Sequence, residues 1–234
     1  MTKRVTIIGL AFAASWASCF AVVASAAGAE YIYKVNKASL ETGKTKEVRA
    51  KAKTSQVMGG EFLGTKFRVI CNKLKLVAAE KPVIKGGVPG RSEKERFAFE
   101  ECETTICDKK VTVEAGSLEN EIVTVVQPAT KAGKLAVEYK GTGGSNLFAK
   151  IQLTCIGILV TAEIQGTTVW LDSPEKMEQR IGTLIGKTGA EEITEVEKSA
   201  GTKEKVGLKC EGKPVTFEGE SEIELVSEEN WGIF

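Results

Sequence analysis

The sequence predicts an all-β protein, an antiparallel sandwich or barrel of short strands, and three observations support this prediction. Apolar and polar residues alternate over short stretches, glycine-containing turns separate those stretches, and five cysteines follow residue 29 of the 234 residues. Alternation with a period of two places apolar side chains on one face of a strand. Short strands at regular spacing are typical of sandwiches and barrels. We expect disulfide links and at most one short helix after the N-terminal segment.

Five segments show the alternation most clearly. They are 67–71, 135–139, 151–155, 206–210 and 217–225. Turn signals separate the candidate strands at 86–90, 128–133, 141–145, 172–174 and 199–202. Only 174–180 has a helical pattern, because Pro174 suits the first helical position and Glu175 follows it. We expect one or two helical turns there.

The first 29 residues have the pattern of an export signal. Lys3 and Arg4 supply positive charge, an apolar run follows, and small-x-small cleavage patterns end at Ala26 and Ala29. We expect residues 1–29 to be a signal peptide. The protein is then secreted or at the cell surface.

Cys19 offers an alternative, since a lipoprotein signal is cut just before a cysteine that receives the lipid. Trp16 fits poorly there, because a small aliphatic residue usually occupies that position. After cleavage near Ala26 or Ala29, residues 30–234 form a single β-rich extracellular domain or two small sheet modules.

Composition excludes several classes of function. The chain has 32 basic and 31 acidic residues and no histidine. A net charge near zero gives no global field that attracts nucleic acid or an anionic membrane. The lack of histidine excludes Ser-His-Asp and Cys-His catalysis and histidine-bearing zinc sites. No apolar run after residue 29 approaches the ~20 residues of a membrane span, and we expect no cofactor.

The five cysteines predict two disulfides and one unpaired thiol, because thiols pair in an oxidising compartment. Cys210 lies on an apolar face and is the candidate free thiol. The disulfide candidates are Cys71, Cys102, Cys107 and Cys155. Their pairing does not follow from the sequence, and no paired C-x2-C motif indicates a metal site.

One part of the chain combines Cys71 with residues 80–90 (Glu-Lys-Pro-Val-Ile-Lys-Gly-Gly-Val-Pro-Gly) and residues 97–102 (Phe-Ala-Phe-Glu-Glu-Cys). With these residues it resembles a group of secreted, β-rich actinobacterial proteins with paired cysteines. It covers roughly residues 60–110 and implies an exported, disulfide-linked β fold. It implies no activity and no functional residues.

Two motifs have both a functional and a structural interpretation. Trp170 lies on the opposite strand face from Val169 and Leu171. It is a candidate ligand-facing aromatic residue, although core packing is the favoured interpretation. Residues 182–188 resemble a phosphate-binding loop but are one residue short between the glycines, so we expect a strand there.

Acidic residues form two further patterns. Glutamates alternate along one predicted strand, and a solvated face opposite lysines is the favoured interpretation. They are Glu218, Glu220, Glu222 and Glu224. A second cluster includes Glu100 and Glu101, which point to opposite faces if that segment is extended.

We therefore expect an exported, non-enzymatic binding or structural protein of the cell envelope or extracellular space. Its partner is cell-envelope polysaccharide or a second copy of the chain. The alternative is a secreted glycoside hydrolase that uses two carboxylates, such as Glu101 and a partner. We assign no catalytic residues under either interpretation.

Overall fold

The computed structural model describes residues 30–78, 81–142, 146–189 and 192–234. It is nearly all antiparallel β-structure, which confirms the predicted fold class. The predicted signal peptide, with Cys19, Ala26 and Ala29, lies outside the described residues. The strands are β1 (Tyr33–Val35), β2 (Ala38–Ser39), β3 (Thr45–Ala52), β4 (Gln56–Phe62), β5 (Thr65–Ala78), β6 (Val83–Lys85), β7 (Arg91–Thr104), β8 (Val111–Ala115), β9 (Leu118–Gln127), β10 (Leu135–Gly141), β11 (Leu147–Cys155), β12 (Ile158–Ser173), β13 (Ile181–Thr188), β14 (Glu195–Glu197), β15 (Lys203–Lys205), β16 (Gly207–Cys210), β17 (Lys213–Leu225) and β18 (Trp231–Ile233).

The strands close two hydrogen-bonded circuits, which together give a barrel-like body. The lower circuit runs β4, β5, β7, β8, β11, β12, β16, β17 and back to β4. The upper circuit runs β3, β6, β7, β9, β10, β12, β13, β17 and back to β3. Strands β7, β12 and β17 are long enough to take part in both. Closure satisfies backbone groups that an open sheet edge would leave unpaired.

A separate three-stranded sheet of β18, β1 and β2 packs on the upper circuit. Its Tyr33 and Trp231 are buried, with ring centroids 6.3 Å apart. Gly90 lets the Tyr33 ring pack closely against the backbone, because a Cβ atom at position 90 would lie 2.6 Å from that ring. The two aromatic side chains therefore fill space above the upper circuit.

The main apolar core runs through both circuits, and a smaller cluster lies on the outer face of β9, β10 and β12. The smaller cluster comprises Val123, Val125, Ala136, Val169, Ile193, Val196 and Val206. Strand β10 is therefore buried on both faces, and buried and exposed residues do not alternate along it.

The helix predicted over 174–180 is wrong, since this segment is a turn. The backbone of Gln179 exchanges two hydrogen bonds with Trp231, and the Glu178 carboxylate accepts one from the backbone N–H of Lys37. Contacts with β18 and the β1–β2 turn thus replace the internal bonds that a helix needs. The helical segment in the described residues is a single 3-10 turn, Ala129–Lys131.

Two disulfides link the lower circuit. Cys71 pairs with Cys102 across β5 and β7, and Cys107 pairs with Cys155 at the end of β11. Structural disulfides fit an oxidising, extracellular compartment.

Within the described ranges, no helix has the length and apolar character needed to cross a membrane.

Candidate functional site

A polar cleft of about 170 Å³ lies on the wall of the upper circuit, where β9 runs between β7 and β10. The pairing of β7 with β9 shifts by one residue between Ser92 and Glu95, which marks a β-bulge. Bulges re-aim side chains and often lie beside functional sites. The residues that define the polar cleft are Arg91, Ser92, Glu119, Asn120, Glu121, Glu138, Lys140 and Lys198.

Lys198 is the electrostatic centre of the polar cleft. Its ammonium lies 2.6 Å from Glu121, 2.9 Å from Glu204 and 3.3 Å from Glu138. Burial opposes the charge of Lys198, but hydrogen bonds to Glu121 and Glu204 outweigh it and raise the lysine pKa. Lys198 follows strand β14, so the β14–β15 hairpin positions this cation over the sheet.

Glu138 lies on the buried outer face of β10, directly opposite Glu121 on β9. Two carboxylates at a cross-strand pair repel each other unless a cation lies between them. Burial raises the pKa of Glu138, and the charge of Lys198 partly offsets that effect. One carboxylate oxygen of Glu138 is buried without a hydrogen-bond partner within the described ranges.

The floor of the cleft connects to a charged group inside the upper circuit. The Asn120 side-chain amide donates to the Ser92 hydroxyl and, over 3.1 Å, to the Glu95 carboxylate. Glu95 is 1% exposed, and burial raises its pKa to about 7 although the Ser92 hydrogen bond opposes the shift. Its Oε1 and the Asn120 Oδ1 have no hydrogen-bond partner in the part of the chain that the structure describes. Burying such groups is costly unless they are hydrogen-bonded.

A small cavity of about 20 Å³ lies beside Glu95 and Asn120. Tyr33, Tyr139 and Trp231 also line it, and the Trp231 indole N–H lacks a hydrogen-bond partner among the described residues. This volume suits one water molecule. Hydrogen-bonding groups thus continue from the cleft into the interior.

The polar cleft suits hydrogen bonding to a polar ligand. Arg91 and Lys140 supply donors, while Glu119 supplies acceptors at the exposed rim. Among the described residues, no group of three His, Cys, Asp or Glu side chains is arranged to hold a metal ion.

The cysteine candidates lie away from the polar cleft. Four of them form the two disulfides of the lower circuit, and Cys210 is a buried free cysteine beside β12 and β17. Burial raises the pKa of the Cys210 thiol, so the thiolate is disfavoured.

Trp170 does not face a ligand, and the structure corrects that candidate role. Its ring is buried, stacked on Phe97 at 5.1 Å and packed 5.2 Å from Phe217. Because β12 is covered on both faces at this point, the side of the strand opposite Val169 is core.

The alternating glutamates of β17 form a solvated face opposite cations, as the favoured interpretation of the sequence expected. Three pairs with β3 lie at 2.7–3.2 Å: Arg49–Glu224, Lys51–Glu222 and Lys53–Glu220. Glu100 and Glu101 pair with Lys75 and Lys73 at the surface. Residues 182–188 lie within strand β13, as expected.

Sequence reasoning missed the residues that build the cleft, above all Asn120, Glu138 and Lys198, and it missed Glu95 beneath the cleft. The one available signal was the placement of Glu138 within the apolar run Leu-Ala-Val-Glu-Tyr. Burial of both faces of β10 depends on the β14–β15 hairpin, which follows more than 50 residues later.

Comparisons of the chain with protein-family models, with curated proteins and with solved structures found no match.

Proposed function

We propose that this chain is an exported, non-enzymatic binding or structural protein of the cell envelope or extracellular space, and that its polar cleft binds a hydroxyl-rich ligand such as an envelope polysaccharide. The supporting observation is the density of charged donors and acceptors around Lys198 in a concave site. Each sugar hydroxyl both donates and accepts, so a mixed set of charged groups satisfies it well.

The closed architecture supports a binding role. Side chains held on paired strands keep their positions, which lowers the entropic cost of ordering a site on binding. The two disulfides further restrict the lower circuit. Self-association by strand pairing has less support, because the outermost strand of the main sheet, β15, has only three residues.

A glycoside hydrolase is the second candidate, and Glu138 with Glu121 is the observation that favours it. Both carboxylates contact one ammonium, at 3.3 and 2.6 Å, so they are closer than the ~6.5–9.5 Å of an inverting pair. The raised pKa of Glu138 suits a general acid. Lys198, however, occupies the space between them where a retaining enzyme needs the sugar carbon, so binding is the better-supported role.

The test is co-sedimentation of residues 30–234 with purified cell-envelope polysaccharide, with the supernatant assayed for released reducing sugar. We expect the protein to sediment and no sugar to be released. The double variant Arg91→Gln/Glu119→Gln removes two exposed cleft side chains that have no hydrogen-bond or salt-bridge partner among the described residues. Loss of two charge-assisted hydrogen bonds should weaken binding by about tenfold or more.

The matched control is Arg96→Gln/Glu41→Gln, which makes the same changes at exposed positions outside the cleft. It should sediment like the wild type. Equal binding by both double variants would remove the cleft from the proposal, and absence of wild-type binding would exclude polysaccharide as the ligand. Sugar release that Glu138→Gln abolishes would establish the hydrolase instead.

A further inference from the structure

Three two-residue turns lie at the same end of the lower circuit. They connect β4 to β5, β11 to β12 and β16 to β17, and we call them the lower turns: Leu63–Gly64, Ile156–Gly157 and Glu211–Gly212. The Leu63 backbone N–H lies 3.4 Å from the Glu211 carboxylate, which joins the first turn to the third.

Neither turn conformation nor burial explains why Leu63 and Ile156 stand in these turns. Leu63 and Ile156 have φ values of +49° and +52°, in the left-handed region. Asparagine, aspartate and glycine favour this conformation, and a β-branched residue such as isoleucine is strained in it. Leu63 is nonetheless 70% exposed and Ile156 is 98% exposed. Neither the turn conformation nor burial within the chain therefore selects these apolar residues.

The apolar surface continues along the β11–β12 hairpin. Ile158 and Leu159 follow the Ile156 turn and are also exposed. The Cys107–Cys155 disulfide ties the turn end of this hairpin to the loop after β7. The exposed apolar residues therefore project from a braced hairpin rather than from a loose segment.

Cationic side chains without a salt bridge or hydrogen-bond partner in the described ranges surround the lower turns. They are Lys66, Arg68, Lys109, Lys110, Lys209 and Lys213. Four acidic residues share this end: Glu61, Glu103, Asp108 and Glu211. On β3, by contrast, Arg49, Lys51 and Lys53 are each paired with a glutamate. The lower end thus combines projecting apolar tips with an excess of unpaired positive charge.

We propose that the lower turns dock on an anionic phospholipid surface. Leu63 and Ile156 enter the boundary between headgroups and acyl chains, and the surrounding cations contact the phosphates. Separate projecting tips suit a lipid surface, which deforms around them, better than a protein partner, which needs a continuous complementary face. The near-zero net charge of the whole chain does not oppose this, since attraction acts within a Debye length of ~8 Å. The proposal is independent of the function proposed for the polar cleft.

The test is co-sedimentation of residues 30–234 with vesicles of pure phosphatidylcholine and with vesicles containing phosphatidylglycerol at 30 mol% in about 0.15 M salt. We expect binding to the anionic vesicles only. The variant Leu63→Asn/Ile156→Asn places a residue that favours the left-handed conformation in both turns. It should bind anionic vesicles at least about tenfold more weakly, because the apolar contacts are lost. Its melting temperature should be unchanged or raised.

Met177→Asn is the matched control, because Met177 is exposed in the turn before β13, outside the lower turns. It should bind like the wild type. The proposal is overturned if the wild type ignores anionic vesicles, if it binds both vesicle types equally, or if the double variant binds as tightly as the wild type. It is also overturned if light scattering shows a wild-type oligomer that the double variant dissociates, since the occupant is then a second copy.

Discussion

The two circuits close in the same way and share one apolar core, but they differ in what else fills their interiors. Aromatic rings fill the lower circuit and the junction between the two, with neighbouring centroids 5.1–6.4 Å apart among Phe97, Phe99, Phe148, Trp170 and Phe217. The upper circuit holds buried polar groups, including Glu95, Asn120 and Asp172, and each of these has a side-chain oxygen without a protein partner.

The aromatic packing of the lower circuit stabilises the fold, whereas the buried polar groups of the upper circuit reduce its stability. Ring packing in a closed circuit removes a large apolar area from water. Buried carboxyl groups without full hydrogen bonding reduce stability, and proteins keep them mainly where a site requires them. The polar cleft lies on the upper circuit, and Asn120 links it to Glu95.

The largest expected effect comes from the lower circuit. Phe217→Ala should reduce the free energy of unfolding by about 3–5 kcal/mol, because it leaves a cavity among fully buried rings. Urea denaturation at constant pH measures this loss. Phe217→Leu, which keeps most of the volume, should cost less than half as much. Equal and small losses for both variants would contradict the view that ring packing stabilises this circuit.

A pH-dependent effect should come from the upper circuit. Burial raises the pKa of Glu95 from 4.5 to about 7 and that of Asp172 from 3.8 to about 7. At pH values between the unfolded-state and the folded-state pKa of each group, the native state binds more protons than the unfolded state. The contribution of these two groups to stability is therefore full below pH ~4, is lost as pH rises towards 7, and does not change further above that, with Glu95 accounting for roughly 3 kcal/mol.

Glu95→Gln should reduce the fall in the free energy of unfolding as pH rises. Urea denaturation between pH 4.5 and 8 measures this change. Part of the fall should remain, because Asp172 still titrates. Glu119→Gln is the control, since Glu119 is exposed at the cleft rim and should leave the wild-type profile unchanged. A Glu95→Gln profile as steep as that of the wild type would show that Glu95 does not titrate near 7 in the folded protein.

The smallest expected effect lies on the outside of the upper circuit. Lys51 and Glu222 are 2.9 Å apart, but the lysine is largely exposed. Exposed ion pairs lose most of their attraction to solvent and salt. A double-mutant cycle with Lys51→Ala and Glu222→Ala should give a coupling energy within error of zero at 0.5 M salt. A large coupling would mean that surface charge, as well as interior packing, distinguishes the circuits.

Strand positions were predictable wherever one face alone is buried. The segments 67–71 and 217–225 alternate in sequence and lie in β5 and β17 as expected. The charge pairing of Glu220, Glu222 and Glu224 also followed from a period of two. Prediction failed at 174–180, where contacts with β18 replace a helix. Trp170 is buried in the core, which agrees with the favoured interpretation and not with the ligand-facing alternative.

The sequence by itself determined the all-β class, because alternation and turn residues act between near neighbours in the chain. It also determined that five cysteines stand after residue 29 and that no histidine is present. Only the tertiary structure decided which cysteines pair and that the long strands take part in two circuits. It alone brought Asn120, Glu138 and Lys198 to one cleft and placed Glu95 beneath it. Those outcomes depend on contacts between residues distant in sequence, which no local pattern encodes.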